Sequence, residues 1–191
     1  MLDTLTQLDT TLFRWINGHH TTALDWTMWT LSQHWFWLAV MLLAFVFITL
    51  RLEPRRWWLV LLGAGVCFLL ADQVSVHLFK ETVCRLRPCH ALDDVRMFRT
   101  ACGGQYGFVS SHAANAFALL TFIGWRYRKS CRVGVALLAI WALAPCSSRA
   151  YLGKHYPGDL VGGALFGIVA GAVVCTVAYF FEKYFNKNET K

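Results

Sequence analysis

Five apolar runs, at about residues 35 to 50, 57 to 79, 111 to 125, 133 to 147 and 159 to 181, alternate with polar links, and this alternation constrains the fold more than any other feature of the chain. A helix needs roughly 20 apolar residues to cross a bilayer, because each residue adds about 1.5 Å and every backbone polar group must be paired within the segment. The chain is therefore expected to be an all-α integral membrane protein, a helical bundle of about five transmembrane helices forming one domain over residues 34–183. Composition agrees, since 57% of the 191 residues are hydrophobic, whereas ordinary globular domains hold about 45–50%. The third and fourth runs are short, and at about 15 residues each would span only about 22 Å, which places their ends near or below the headgroups.

The first 33 residues read differently. Leu2, Leu5, Leu8, Leu12, Phe13 and Ile16 interleave with Asp3, Thr4, Gln7, Asp9 and Arg14, an amphipathic pattern. With Trp15, Trp26 and Trp29 it predicts one or two helices that lie in the interface or cap the bundle. There is no basic stretch followed by a compact apolar core and a small-residue cleavage site, so no removable signal peptide is expected. Residues 184–191 form a polar tail.

Charge orients the bundle. The links "RLEPRR" (51–56) and "RYRKSCR" (126–132) and the C-terminal "EKYFNKNETK" (182–191) carry ten basic residues, against eight on the other side, among them Lys80, Arg87 and Arg149. An excess of Lys and Arg marks the cytoplasmic side, so the tail is expected inside and the polar links 80–110 and 148–158 outside, in a bacterial inner membrane. The net charge of +7 is spread in short clusters between apolar spans, with no nucleic-acid motif, so the expected partner is anionic lipid. The seven cysteines form neither a zinc pattern nor a disulfide framework. Cys84, Cys89 and Cys102 share one polar link, where a bridge would form in an oxidising compartment and leave one thiol over. In the last run Gly163, Gly167 and Gly171 recur every four residues beside a second row, Gly158 and Gly162, which is a surface for close helix packing.

Three polar clusters fall at the outward ends of the runs. "KETVCRLRP" (80–88) sets Lys80 and Arg87 two helical turns apart, on one side if the helix continues to Pro88. "VSSHAAN" (109–115) puts Ser110, Ser111 and His112 at a helix start, where free backbone N–H groups and hydroxyls suit a phosphate. "SRAYLGKHYPGD" (148–159) places His155 and Asp159 four apart, about 6 Å along a helix axis, so that the carboxylate orients one imidazole nitrogen and leaves the other free. Arg149 lies six residues before His155. Taken singly, each cluster also fits an ordinary cap or an interfacial cation.

Together the clusters resemble the three signatures of the type 2 phosphatidic acid phosphatase superfamily, Lys-x6-Arg-Pro, Pro-Ser-Gly-His and Ser-Arg-x5-His-x3-Asp. That group also contains polyprenyl diphosphatases, lipid A phosphatases and vanadium haloperoxidases. Val109 and Ser111 stand where the second signature has proline and glycine. The resemblance implies a metal-independent phosphatase that acts on a lipid phosphate or diphosphate, needs no cofactor, and has its active site facing the periplasm or exterior. It implies His155 as a nucleophile that forms a phosphohistidine, Asp159 as its orienting carboxylate and His112 as the acid for the leaving oxygen. Lys80, Arg87 and Arg149 would hold phosphate oxygens with Ser110 and the Ser111 backbone N–H. A non-catalytic lipid-phosphate-binding scaffold and a transporter are the competing classes. Arg85, Arg96, Arg99 and Lys154 flank the site, where they could screen or select headgroups, with solvated surface as the expected place for them. Asp72 and His77 are intramembrane candidates for function, expected instead to balance Lys80 or face a polar pocket.

Overall fold

The computed structural model of the chain describes residues 2–53 and 55–189, and among these it contains helices and loops but no strand. Helices α1 (Leu2–Gly18) and α2 (Thr22–Leu31) precede α3 (His34–Phe47), which runs on as a π-helical turn, Ile48–Leu52. Helix α4 (Trp57–Val74) passes into a π-helical stretch, Ser75–Lys80, and a last turn, α5 (Glu81–Val83). A long polar link holding the short α6 (Pro88–Ala91) leads to α7 (Ser111–Tyr127), α8 (Arg132–Tyr151) and α9 (Pro157–Glu189). The five expected spans are thus α3, α4, α7, α8 and α9.

Among the described residues, four stretches are long and apolar enough to cross a membrane: Trp35–Leu52, Trp57–Val83, Arg132–Tyr151 and Pro157–Tyr184. The chain is a multi-pass membrane protein. The remaining span, α7, is 17 residues long and lies at the axis, packed against α4, α8 and α9. Its Ala113, Ala114, Ala116, Ala118, Leu119 and Phe122 are buried, so protein rather than lipid satisfies most of its surface. The fourth span exceeds the expected 15 residues: α8 has 20, about 30 Å. The polar end of α8 stays helical, with the Ser147 and Ser148 hydroxyls satisfied by the carbonyls of Leu143 and Pro145 one turn back. The helix stops at Gly153, whose φ is +78°.

Close contact between α7 and α9 sets the register of the bundle. A Cβ added at Gly163, Gly167 or Gly171 would lie 2.5, 2.3 or 2.5 Å from the carbonyl oxygens of Ser110, Ala114 and Ala118 respectively. Four-residue steps on one helix meet four-residue steps on the other, so only hydrogen fits at each crossing. The first turns of α7 and α9 are thereby fixed side by side, and the Ser110 N–H donates to the Asp159 carbonyl at 3.0 Å.

Helices α1 and α2 pack across the ends of α8 and α9 on that same side. Asn17, buried, donates to the carbonyls of Arg96 and Tyr151, while the Asp25 carboxylate takes both arms of Arg96 and the Tyr151 hydroxyl. The opposite face of α1 leaves Leu5, Leu8, Leu12 and Trp15 exposed as one apolar stripe. At the other end of the bundle, Arg126 of α7 joins Glu53, which ends the α3 π-turn, to Glu182 of α9.

Candidate active site

The link after α5 turns sharply. Lys80 ends the π-helical stretch, but the chain leaves the helix at Cys84, whose φ is +50°, so the expected continuous helix to Pro88 is absent. Proline disfavours the helical region for the residue before it, and Arg87 is extended at φ −68° and ψ 153°. Leu86 pairs with Tyr106 in an isolated antiparallel bridge, with Gly107 N–H donating to the Arg85 carbonyl and Arg87 N–H to that of Gln105. Alternation in this short extended segment sends Arg85 and Arg87 to the same side. The Arg87 guanidinium donates to the carbonyls of Tyr106 and Cys102. A Cys89–Cys102 disulfide closes the loop that holds it, leaving Cys84 as the thiol over.

Ser110 occupies the N-cap position of α7 without a side-chain capping bond and is fully buried. Lys80 Nζ donates to Ser111 Oγ at 2.7 Å, and Ser111 Oγ lies 2.7 Å from Ser75 Oγ, which donates to the Asp72 carbonyl. If each group donates once, the relay runs from Lys80 through Ser111 and Ser75 to that carbonyl. His112 follows in the first turn of α7, its ring edge-on to Trp37 of α3 at 6.4 Å between centroids.

His155 and Asp159 meet by a different route from the one their spacing suggests. Helix α9 begins at Pro157, so His155 lies before it and Asp159 in its first turn. Asp159 Oδ2 accepts from Tyr156 N–H at 3.0 Å and lies 3.6 Å from His155 Nδ1, an ion-pair distance longer than a hydrogen bond. Both side chains are buried. Arg149 occupies the last turn of α8, inside the helix and 4% exposed, with Nη2 donating to the Ser32 carbonyl.

The charges around this point do not balance. Arg87 and Arg149 both act on His155, and both act on Lys154, while Lys80 also neighbours Arg87. Of the two carboxylates facing them, Asp72 acts on Lys80, and Asp159 is itself shared with Arg85 at 2.9 Å. Burial, reinforced by Arg87 and Arg149 and opposed by Asp159, pushes the His155 imidazole down to about 4, so it is neutral at physiological pH. Lys154 is pushed down to about 8 by burial and the same two arginines, and burial also lowers Arg87 against the pull of Asp159. Six buried side-chain atoms among the described residues lack a hydrogen-bond partner, and three of them, Ser110 Oγ, Arg149 Nε and His155 Nδ1, belong to this cluster.

The sequence profile of the PAP2 superfamily matches residues 57–183, about two-thirds of the chain. The chain belongs to the PAP2 superfamily. A lipid A 4'-phosphatase of Bacteroides thetaiotaomicron is 33% identical over 187 residues, covering 94% of this chain and 80% of that protein. A decaprenylphosphoryl-5-phosphoribose phosphatase of Mycobacterium tuberculosis is 32% identical over 141 residues, 74% of this chain and 71% of that protein. The crystal structure of Aquifex aeolicus LpxE superposes with a TM-score of 0.65 at 22% identity, covering 88% of this chain and 95% of that one.

Against the PAP2 signatures, the structure gathers Lys80, Arg87, Ser110, Ser111, Arg149, His155 and Asp159 at one end of the bundle, with His112 in the first turn beside them. The two departures have local explanations. Val109 is buried against the α9 surface at Gly162, and the Ser111 side chain turns toward Ser75 and Lys80. Two expected surface cations are not solvated: Arg85 is part-buried between Asp9 and Asp159, and Lys154 is half-buried beside Arg149. Arg96 is likewise tied to Asp25, whereas Arg99 stays out on the Trp26 and Trp29 rings. His77 pairs with Glu81 on an exposed face, away from the cluster.

Proposed function

We propose that this membrane protein of the PAP2 superfamily hydrolyses a lipid phosphate or diphosphate through a phosphohistidine. The observation that carries the reading is the charge imbalance: Lys80, Arg87, Arg149 and Lys154 crowd a volume opposed by Asp72, which acts on Lys80, and by Asp159, which is already shared with Arg85. Buried like charges are stable together when an anion sits among them, and a phosphoryl group supplies the oxygens that Arg149 Nε and Ser110 Oγ lack.

In this reading the cations and the Ser110–Ser111 helix start hold the phosphoryl oxygens as charge spreads over them. Neutral His155 attacks phosphorus, forming the N–P bond as the P–O bond to the lipid breaks, and Asp159 stabilises the resulting imidazolium. His112 gives its proton to the departing lipid oxygen, then takes one from the water that attacks phosphorus, and the N–P bond breaks to release inorganic phosphate. The fixed cations supply the charge stabilisation, so turnover is expected to persist in EDTA. Relatives named for lipid A and for a decaprenyl-linked sugar phosphate support a monophosphate on a lipid carrier as the substrate. The basic residues at the opposite end, with the Cys89–Cys102 bridge at this one, support a site facing the periplasm or exterior.

The test is phosphate release from lipid A phosphate, polyprenyl phosphate and diphosphate, phosphatidylglycerophosphate and phosphatidate by purified protein in EDTA. At least one substrate is expected to turn over, with His155→Ala slower by about 10² to 10⁴ or more. Wild-type rates in His155→Ala would remove it as nucleophile, and release that stops with chelation would remove the metal-free route.

A further inference from the structure

Asp159 presents two oxygens to two different jobs. Oδ2 faces His155 and accepts from Tyr156 N–H, whereas Oδ1 accepts from Arg85 Nη1 at 2.9 Å. A carboxylate held at both oxygens cannot rotate about its Cβ–Cγ bond, so Arg85 sets the direction in which Oδ2 points. Arg85 is itself held from the far side. Its Nη2 donates to Asp9 Oδ2 at 2.7 Å, and its guanidinium lies over the Tyr156 ring at 4.2 Å.

Asp9 comes from α1. Its Oδ1 accepts from Gly158 N–H at 2.7 Å, and a Cβ at Gly158 would lie 2.6 Å from Asp9 Oδ2, so this approach needs glycine in the α9 first turn. One turn along α1, buried Phe13 packs on Tyr156 at 5.4 Å, and one turn further Asn17 holds the Arg96 and Tyr151 carbonyls. The residues at 9, 13 and 17 form a single inward face that docks α1 on the reaction end, opposite the exposed leucine stripe.

We propose that Asp9 and Arg85 are positioning residues for the Asp159–His155 pair, and that α1 is a wall of the reaction centre in addition to whatever its apolar stripe touches. The proposal rests on the phosphohistidine reading. The rigid guanidinium fork bonds the two carboxylates from two fixed directions with one charge, a geometry that a lysine ammonium does not fix. The charged groups that act on His155 are Asp159 of α9, Arg149 of α8 and Arg87 of the preceding link, with Lys154 adjacent in the chain and Arg85 and Asp9 behind Asp159. Without Arg85 a positive charge behind Asp159 is lost, so the carboxylate acts on His155 with less opposition and the pH at which the imidazole becomes neutral moves upward.

Arg85→Gln is expected to lower kcat by about tenfold to a hundredfold, the range for supporting groups behind a reactive one, with KM within about threefold. Its acid limb moves to higher pH. Arg85→Lys, which keeps the charge but not the fork, loses kcat with the acid limb in place. Asp9→Asn loses less, about threefold to tenfold alone, and nothing further when combined with Arg85→Gln or Arg85→Lys. An unmoved acid limb in Arg85→Gln, or an Asp9→Asn loss that persists in full in either Arg85 background, overturns the proposal. Histidine ¹⁵N resonances of the detergent-solubilised protein, with His155 assigned through His155→Ala, read the same titration without turnover. A higher His155 midpoint in Arg85→Gln supports the coupling and an unchanged one removes it. If no lipid phosphate is hydrolysed, the hydrolase reading fails while the resonances still decide this one.

Discussion

Arg126 and Arg149 are both poorly exposed arginines near the ends of membrane helices, one at each end of the bundle, and their surroundings are opposite. Arg126 meets two glutamates, Glu53 at 2.8 Å and Glu182 at 2.7 Å, so its charge is overcompensated within the fold. Arg149 meets one carbonyl, leaves Nε without a partner, and shares its space with Arg87 and Lys154. The first arrangement is complete without a ligand and binds three helices together. The second is electrostatically unfinished, which is the contrast expected between a structural ion pair and the proposed anion site.

Identical swaps at the two ends test that distinction most strongly. Arg149→Met should reduce turnover by about 10² or more, because it removes a cation that faces charge developing in the transition state. Thermal stability should change little, since one hydrogen bond to Ser32 is lost while repulsion from Arg87 and Lys154 is relieved. Arg126→Met should do the reverse. It strands Glu53 and Glu182, whose side chains are 23% exposed each, at a cost of about 1–3 kcal/mol. That corresponds to a fall of about 2–12 °C in the unfolding midpoint, with specific activity within about threefold of wild type. A melting curve and a phosphate-release assay on both variants decide it, and the comparison collapses if the two profiles match.

The next effect concerns what aligns the ends. Gly167 sits midway along the α7–α9 crossing, where an added Cβ would lie 2.3 Å from the Ala114 carbonyl oxygen. Backbone cannot yield as a flexible side chain can, so Gly167→Ala should separate the helices at a cost of about 1–3 kcal/mol. Gly65, which has nothing within 4 Å of an added Cβ, is the control, and Gly65→Ala should leave stability unchanged or slightly higher. Because Ser110 N–H is bonded to the Asp159 carbonyl across the same crossing, Gly167→Ala should also lower kcat. Equal melting temperatures for the two variants would remove the glycine row as the spacer.

That row was readable in the sequence, because a four-residue repeat of the smallest residue has a direct geometric meaning on a helix. The spans were readable for a similar reason, since backbone pairing in lipid leaves helices as the solution, and so was the grouping of cations at one end. The routes by which residues meet were not readable. Lys80 and Arg87 are two helical turns apart in number, yet they converge because the chain breaks at Cys84 and Pro88 holds Arg87 extended. His155 and Asp159 face each other across a helix start instead of along a helix. Arg85 carried a weak signal, the Arg-Leu-Arg alternation of an extended segment, that its placement among expected surface cations ignored. Asp9 carried none, because its meaning depends on a contact with Gly158 that no local pattern encodes.

The smallest expected effect concerns Lys154, and its sign follows from its neighbours. Burial, then Arg149 and Arg87, hold its ammonium down to about 8, so in the free protein the charge is present below that pH and lost as pH rises through it. A bound phosphate dianion would favour the charged form, so binding weakens as the proton leaves. KM is therefore expected to rise above pH 8, and His155, pushed down to about 4, is already neutral throughout this range and adds nothing to that rise. Lys154→Gln should show the higher KM at every pH and no rise above 8. One partly solvated charge is worth about 0.5–1 kcal/mol, a twofold to fivefold change. Kinetics from about pH 6 to 10 on both proteins separate the cases. A rise in KM that survives in Lys154→Gln would assign the alkaline limb to another group and leave Lys80, Arg87 and Arg149 as the cations that bind the anion.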